Sequence, residues 1–241
     1  ALLARTGIRR QRLMPTFVTP DPELREHAHA QREAWEAPEV TARRACYICK
    51  SEITHLHFFY DQMCGACGDF NYAKRTQTAD LSGRVALISG ARVKIGYQAA
   101  MLLLRAGARV IVSTRFPRDA ALRYSREPDF ESFRDRLSVY GLDLRHTPSV
   151  EAFARRLLAR ERQLDFVLHN ACQTVRRPSG FYAHLMEQEL APVAALPTQA
   201  RGLLSDYEDM RAAAAAHAGA NARTLARVEA ELPAGLVEAP E

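Results

Sequence analysis

The sequence predicts an α/β protein built on a doubly wound parallel sheet, with a small cysteine-rich module ahead of it. Two observations predict the sheet. Short and nearly continuous apolar segments recur between residues 84 and 171, and segments with helical periodicity separate them. Apolar runs of this kind are typical of strands buried on both faces, and their alternation with helices is typical of a parallel sheet. A third observation, two C-x-x-C pairs between residues 46 and 67, predicts the module.

Four strands are expected, in the order β-α-β-(α)-β-α-β. The helix over 95–108 closes at Gly107, a natural C-cap, and a later helix is expected to start at a Thr147 cap with Pro148 in its first position. The segment 119–137 supplies the weakest helix. The predicted strands are RVALIS (84–89), RVIVST (109–114), RLSVYGLDL (136–144) and LDFVLHNA (164–171).

Composition is ordinary for a globular protein, with 47% hydrophobic and 25% charged residues among 241. No apolar run approaches the roughly 20 residues needed to span a bilayer, so no membrane span is expected. The net charge of +5 is compatible with an anionic cofactor, an anionic partner surface or nucleic acid. Only Lys50, Lys74 and Lys94 are lysines, and the other 30 of the 33 basic residues are arginines. That bias suggests a GC-rich genome more than a binding function.

A glycine-marked turn follows the first predicted strand. Ser89 ends the strand, Gly90 can take the turn, and Gly96 opens the helix where a β-carbon would crowd the strand or a ligand. A helix N-terminus offers free N–H groups and partial positive charge to a phosphate. Lys94 either points its ammonium at that phosphate or is a solvated loop residue, and Arg92 is a similar candidate.

Three short motifs resemble the short-chain dehydrogenase/reductase family. Residues 89–96, SGARVKIG, resemble its T-G-x-x-x-G-x-G turn, with serine for threonine and Lys94 for the middle glycine. The stretch 169–172, HNAC, resembles the N-N-A-G that follows the fourth strand, and Asp143-Leu144 resembles the pair near the adenine. The resemblance covers roughly residues 80–185 and implies a Rossmann-like domain. The family's usual sheet has about three more strands than the four recognisable here, so the resemblance implies an incomplete sheet. The residues that it implies for dinucleotide contact are Ser89, Gly90, Arg92, Lys94, Ile95, Gly96, Asp143, Leu144, Asn170 and Ala171.

The residue after the second strand bears on the choice of cofactor. A site that prefers NAD(H) usually places an acid there for the ribose 2′-hydroxyl, whereas this chain has Arg115. A guanidinium can accept a 2′-phosphate, so NADP(H) is favoured over NAD(H). The other interpretation of Arg115 is one more surface arginine among thirty.

The family's catalytic Tyr-x-x-x-Lys pair is not in this chain. No lysine follows Lys94, and the residues four places after Tyr182 and Tyr207 are methionine and arginine. No catalytic residue is therefore assigned. Three explanations stay open: a portion of a longer protein, a second half supplied by another polypeptide, or a degenerate family member.

Two functions follow. One is an NADP(H)-dependent oxidoreductase, or its cofactor-binding portion, carrying a structural zinc ion. The other is a catalytically inactive subunit of a larger protein or ribonucleoprotein assembly. A homo-oligomer or a subunit of a larger assembly is expected in either case.

The cysteine pairs predict zinc. Cys46 and Cys49 are separated from Cys64 and Cys67 by fourteen residues, and each pair can bend into a knuckle that directs two thiolates at one ion. Four thiolates leave no open position for catalysis. Redox pairs, free buried thiols and an iron–sulfur cluster are the alternatives. His55 and His57 lie inside the loop and would face one side of a strand, where local hydrogen bonding is favoured over ligation, and the fifth cysteine, Cys172, is expected to pack near the cofactor.

These features divide the chain into four segments: a basic arm (1–40), the zinc module (41–78), the dinucleotide-binding half (79–190) and a Pro/Ala-rich helical tail (191–241). The cysteine pattern is not that of a secreted disulfide framework, which favours a reducing compartment, either cytoplasm or organellar matrix. The arginine-rich, acid-free first twenty residues resemble the end of a mitochondrial or plastid targeting peptide, although a loose basic arm is the simpler interpretation. The tail carries a thin apolar stripe: Leu204, Tyr207, Met210, Leu225 and Val228.

Overall fold

The structure is a computed structural model, and it describes residues 2–12, 30, 32–75, 77–172 and 178–216. The chain divides into two compact units, Ala1–Leu81 and Ser82–Glu241. The finer division into four segments stays a prediction. Among the described residues, no helix is both long enough and apolar enough to cross a bilayer.

The second cysteine pair of the first unit lies at the start of a helix. A 3₁₀ turn (Leu2–Arg5) precedes helix α1 (Gly7–Gln11), and helix α2 (Gly65–Arg75) begins directly after Cys64 and contains Cys67. Two isolated antiparallel bridges, Glu39 with His55 and Ala45 with Glu52, are its β-structure in the described residues. The backbone N–H groups of Gly7 and Ile8 donate to the carbonyls of Phe58 and Phe59 at 2.9 and 2.8 Å. The start of the chain is therefore hydrogen-bonded to the aromatic segment of this unit, which contributes Ile53, Leu56, Phe58 and Phe59 to the buried core.

The second unit is a four-stranded parallel sheet. Its strands are β1 (Val85–Ser89), β2 (Arg109–Thr114), β3 (Leu137–Gly141) and β4 (Phe166–His169). They lie in the order β3-β2-β1-β4, each within its predicted segment, so the predicted α/β fold is confirmed. The register places Ser89 opposite both Ser113 and His169. The carboxyl ends of β1, β2 and β4 therefore meet at one edge of the sheet.

Helices cover both faces of this sheet. They are α3 (Lys94–Arg105), α4 (Pro117–Tyr124), α5 (Thr147–Arg160), α6 (Ala183–Leu190) and α7 (Thr198–Leu203), and residues 205–216 are also helical. On one face, Phe153 of α5 packs with Val85, Ile111 and Tyr140, and Tyr207 and Met210 join the same cluster. Side chains that alternate with these along β1 and β2, such as Ile88 and Val110, are buried on the face of α3 and α4.

The predicted apolar stripe in the tail is confirmed where it is described. Leu204 is fully buried, and Tyr207 and Met210 pack against the core. Leu225 and Val228 lie outside the described residues.

Two expectations about helices are corrected. Helix α5 has His146 at its N-cap, so Thr147 is its first residue and not the cap. The helix expected within 119–137 ends at Tyr124, and two 3₁₀ turns (Phe130–Ser132 and Arg134–Arg136) follow. Pro128 explains the early end, because proline lacks the N–H that a continuing helix requires.

Candidate functional site

The glycine turn after β1 is packed too closely for any larger residue. Gly90 has a positive φ of 71°, and a β-carbon there would lie 2.7 Å from the Cα of Ala171. A β-carbon on Gly96 would lie 2.4 Å from the carbonyl oxygen of Gly90. The backbone of the turn therefore approaches both the start of α3 and the residue after β4 in a way that requires glycine at both positions.

Hydrogen bonds from the end of β4 hold this turn in place. The Asn170 side-chain Nδ2 donates to the carbonyl of Gly90 at 3.1 Å. The backbone N–H groups of Asn170 and Ala171 reach the Ser89 hydroxyl at 3.2 and 3.4 Å. Two motifs that lie 80 residues apart in sequence are thus joined by hydrogen bonds, and Ser89 and Asn170 hold the conformation of the turn. The motif match placed both residues at the site but did not reveal this role, because the contact joins two distant segments.

The first turn of α3 has the properties of an anion site. Its N-cap, Val93, makes no side-chain capping bond, and the turn carries no acidic residue. The first N–H groups of a helix have no partner within the helix. Lys94 is exposed and has a positive φ of 57°, and Ile95 is 76% exposed. The positive φ shows that a lysine occupies a backbone conformation that suits glycine.

Arg92 is already engaged. Its Nη1 lies 2.7 Å from the Asp119 Oδ2, and both side chains are largely buried. Burial alone would raise the pKa of Asp119, but hydrogen bonds and charge from Arg123 and Arg92 lower it, so the carboxylate stays ionised. Arg92 could reach a phosphate only by leaving this ion pair.

Candidates at the next strands lie along the same edge. Arg115 is exposed immediately after β2. Asp143, just beyond β3, is bound by Arg145, whose Nε lies 2.9 Å from Oδ1, and this hydrogen bond is the main cause that lowers the pKa of Asp143 to about 2. Leu144 is 51% exposed. In open α/β sheets, ligands bind outside the carboxyl ends of the strands.

Neither tyrosine considered for catalysis is placed like a member of a Tyr-x-x-x-Lys pair. Tyr207 packs into the core over Gly141, where a β-carbon would lie 2.3 Å from its hydroxyl oxygen. Tyr182 packs against Phe116 with ring centroids 5.0 Å apart. The catalytic residues therefore remain unassigned.

The four cysteines of the first unit converge as predicted. Their sulfur atoms all lie within 4.8 Å of one another, and the Cys49 and Cys64 sulfurs are 3.6 Å apart. Zn–S bonds of about 2.3 Å place the sulfurs of a tetrahedral site about 3.8 Å apart. All four thiols are free of disulfides. The cluster therefore has the donor set and spacing to hold a metal ion.

Hydrogen bonds among the four cysteines shift the pKa values of their thiols in opposite directions. A hydrogen bond from the Cys64 backbone is the main cause that lowers the pKa of Cys46 to about 6. A hydrogen bond with the Cys49 side chain is the main cause that raises the pKa of Cys67 to about 12. A bound dication removes this conflict, because it favours the ionised form of every ligand.

The two histidines of the loop differ from the expectation that they face one side of a strand. His55 is exposed and bonds Thr54 at 3.2 Å, whereas His57 is buried. The His57 Nδ1 accepts the backbone N–H groups of Phe59 and Tyr60, both at 3.0 Å. The expected local hydrogen bonding is confirmed.

His57 also supports the second knuckle of the cysteine site. Its ring packs on Gly68, where a β-carbon would lie 2.4 Å from the imidazole. Burial lowers the pKa of His57, which keeps Nδ1 available as an acceptor. This second contact joins residues eleven positions apart, so residue spacing did not predict it.

The sheet, the glycine turn and the position of the candidate residues define a Rossmann-like α/β unit. The chain is 41% identical over 140 residues to "Uncharacterized protein R665" of Acanthamoeba polyphaga mimivirus, which is 56% of this chain and 30% of that protein. It is 33% identical over 114 residues to mouse (Mus musculus) "Retinol dehydrogenase 11", covering 46% and 36%. It is 36% identical over 104 residues to "Dehydrogenase/reductase SDR family member 13" of Bos taurus, covering 42% and 27%.

The similarities to the two dehydrogenases support the resemblance to short-chain dehydrogenases/reductases at modest identity. The chain spans about a third of the length of the curated relatives that it matches. No protein-family model matches it. Among solved structures, the oxidoreductase yciK from E. coli has a TM-score of 0.36 at 23% identity, covering 56% of this chain and 55% of that one. The Pseudomonas aeruginosa RhlG/NADP complex has a TM-score of 0.33 at 22% identity, covering 54% and 49%.

Proposed function

We propose that this chain is the dinucleotide-binding portion of an NADP(H)-dependent oxidoreductase of the short-chain dehydrogenase/reductase type. The observation that carries the proposal is the turn after β1, where Gly90 and Gly96 leave no room for a β-carbon and Asn170 holds the Gly90 carbonyl. This packing keeps the uncapped first turn of α3 open to a pyrophosphate. Arg92 would contact the dinucleotide only after leaving its ion pair with Asp119. The other residues proposed to contact the dinucleotide are Ser89, Gly90, Lys94, Ile95, Gly96, Arg115, Asp143, Leu144, Asn170 and Ala171.

NADP(H) is proposed over NAD(H) because of the charge at the end of β2. Arg115 follows the strand directly, and a guanidinium stays protonated near neutral pH. It can make a charge-assisted hydrogen bond to a 2′-phosphate and gains nothing comparable from a hydroxyl. A contact of this kind changes affinity by about ten- to a hundredfold.

Cofactor titration tests this proposal. We expect the unaltered protein to bind NADP⁺ more tightly than NAD⁺ by calorimetry. Arg115→Ala should weaken NADP⁺ by about ten- to a hundredfold and change NAD⁺ little. Arg155→Ala, at an exposed arginine of α5, is the matched control and should change neither. Equal losses for the two cofactors in Arg115→Ala would show a structural role for Arg115, and no binding of either cofactor to the unaltered protein would refute dinucleotide binding.

We also propose that Cys46, Cys49, Cys64 and Cys67 hold one structural Zn²⁺. When bound, the ion would supply folding free energy to the first unit and no catalytic position, because all four ligands come from the protein. Elemental analysis should give one zinc per chain. Cys64→Ser should release it, while Cys172→Ser, at an exposed cysteine outside the cluster, should retain it. Less than half an equivalent of zinc in the unaltered protein would contradict the proposal.

A second candidate is a non-catalytic subunit of a larger assembly. It is favoured by one observation: no tyrosine of this chain is followed four residues later by a lysine. In that case the dinucleotide would serve as a structural part. The native mass of the protein purified from its source separates the two: a stable complex with a different polypeptide supports this candidate, and a longer single chain supports the first.

A further inference from the structure

The segment beyond β4 returns to the carboxyl end of β2. Glu189 of α6 accepts the backbone N–H groups of Arg118 and Asp119 at 3.1 and 2.8 Å. These two groups belong to the first turn of α4, so Glu189 caps that helix from a distant part of the chain. The Arg118 guanidinium in turn donates to the carbonyls of Gln188 and Ala191. These two sets of hydrogen bonds hold α6 beside the residues that follow β2.

This anchoring places an aromatic ring at Arg115. Tyr182, directly before α6, has its ring centroid 5.0 Å from the Arg115 Cζ. The ring of Phe116 lies 5.5 Å from the same Cζ and 5.0 Å from the ring of Tyr182. Arg115 is exposed, and among the described residues its guanidinium has no hydrogen-bond or ion-pair partner. It is thus positioned by two aromatic rings and not by an acid.

The carboxylate of Asp143, which lies in the same region, is already paired with another arginine. Asp143 is held by Arg145 at two atoms, with Nε to Oδ1 at 2.9 Å and Nη2 to Oδ2 at 2.5 Å. The charge of Arg115 adds only a smaller contribution to the low pKa of Asp143. The positive charge of Arg115 is therefore left available to an anion from outside the chain.

Ring contacts have a specific consequence for a guanidinium. A guanidinium that stacks on an aromatic ring keeps its N–H groups, which lie in its plane, free for other partners. A side chain held in this way loses less freedom when it binds, so each hydrogen bond that it forms to a phosphate gives more affinity.

We propose that Tyr182 is a positioning residue that holds Arg115 for the 2′-phosphate of NADP(H). The preference for this cofactor is then set jointly by the residue after β2 and by a residue of the segment beyond β4. This inference rests on the proposed dinucleotide function.

Paired titrations of NADP⁺ and NAD⁺ against a set of variants test the inference. Tyr182→Ala should weaken NADP⁺ by about two- to fivefold, the range that loss of an exposed cation–π contact allows, and should leave NAD⁺ affinity unchanged. Tyr182→Phe keeps the ring and should keep NADP⁺ affinity. Tyr182→Leu keeps apolar bulk without a π face and should behave like Tyr182→Ala, which separates ring chemistry from packing. In the Arg115→Ala background, Tyr182→Ala should add no further loss, because it acts through Arg115.

The outcomes distinguish this inference from the function on which it rests. Equal losses of both cofactors in Tyr182→Ala, or tighter NADP⁺ binding in that variant, would overturn the positioning role and leave dinucleotide binding intact. Equal affinity of the unaltered protein for both cofactors would do the same. Binding of neither cofactor to the unaltered protein would overturn the proposed function, and the positioning role with it.

Discussion

At the scale of single residues, Lys94 is the most informative position in the glycine turn. It begins α3 with a φ of 57°, a left-handed conformation that costs an L-residue roughly 1–2 kcal/mol. The motif comparison identifies this position as one where a glycine is expected. The structure shows why glycine is expected: the backbone at this position adopts a conformation that suits glycine, although the residue here is a lysine.

Replacing Lys94 by glycine should therefore stabilise the fold. We expect Lys94→Gly to raise the free energy of unfolding by about 0.5–1 kcal/mol, because relief of the left-handed conformation exceeds the entropy that glycine adds to the unfolded chain. Lys94→Ala retains a β-carbon and should gain nothing. Urea unfolding of both variants measures the difference, and a gain of the same size in Lys94→Ala would show that charge and not backbone conformation is responsible.

The sequence predicted residue types at the site better than their roles. Gly90 and Gly96 were identified from the turn, and the four cysteines from their spacing. The role of Asn170 in holding the turn, the packing of His57 on Gly68 and the position of Tyr182 were not predicted. Each depends on a contact between segments that are separated along the chain, and one sequence carries no signal for such contacts.

At the scale of elements, the tail of the described chain is bound to the sheet by one buried acid. Asp206 accepts from Ser138 of β3 at 3.3 Å and from Arg156 and Arg160 of α5. Its side chain is only 10% exposed. Burial would raise the pKa of Asp206, but the hydrogen bond and charge of Arg160, together with Arg156, lower it. One carboxylate therefore joins a strand, a helix and the segment 205–216.

Removing this charge should destabilise the sheet unit. We expect Asp206→Asn to lower the free energy of unfolding by about 2 kcal/mol, less than the 3–5 typical of a fully buried pair, because Arg160 is half exposed and can be rehydrated. Asp209→Asn is the matched control, since Asp209 also contacts Arg156 but is 68% exposed. Chemical denaturation at pH 7 measures both variants, and equal effects would argue against a special role for Asp206.

The pH dependence of this contribution has a definite sign. The folded pKa of Asp206 lies below its ordinary value of 3.8, so the unfolded chain binds the proton more readily. The contribution is complete above that pH and is lost as the pH falls through the folded pKa. The destabilisation caused by Asp206→Asn should therefore shrink below about pH 4.

Strands were predicted more reliably than the helices that follow them. Each of β1 to β4 is an apolar run, and burial of such a run is a local property of the sequence. The helix predicted over 119–137 is longer than the observed α4, because apolar residues beyond Tyr124 pack in 3₁₀ turns after Pro128. The anchoring of α6 through Glu189 was not predicted, since it depends on a hydrogen bond between residues that are 70 positions apart in the sequence.

At the scale of the whole sheet, β4 is exposed in a way that β1, β2 and β3 are not. Among the described residues it pairs only with β1, and Phe166 and Val167 are 36% and 50% exposed. An apolar edge strand with unpaired N–H and C=O groups favours pairing with another chain. Within the part of the chain that the structure describes, the tail therefore packs on the β3 side of the sheet and no strand pairs with the outer edge of β4.

Self-association through β4 is the expected consequence for the isolated chain. Sedimentation velocity should show mass rising with concentration, and Val167→Lys should reduce this association because a charged edge residue opposes strand pairing. Leu158→Lys, at an 84% exposed leucine of α5, is the matched control and should leave association unchanged. A monomeric unaltered protein, or association that is unaffected by Val167→Lys, would exclude β4 as the contact.

The scarcity of lysine has a practical consequence for chemical footprinting. Of the three lysines, Lys50 and Lys74 lie in the first unit, so Lys94 is the sole primary amine of a side chain within Ser82–Glu241. It is exposed at the first turn of α3, where the pyrophosphate is proposed to bind. Acylation by an amine-selective reagent, followed by peptide mass analysis, therefore reports on this turn through one modified peptide, with Lys50 and Lys74 as internal references. Protection of Lys94 alone by an added dinucleotide would locate the ligand without any change to the sequence.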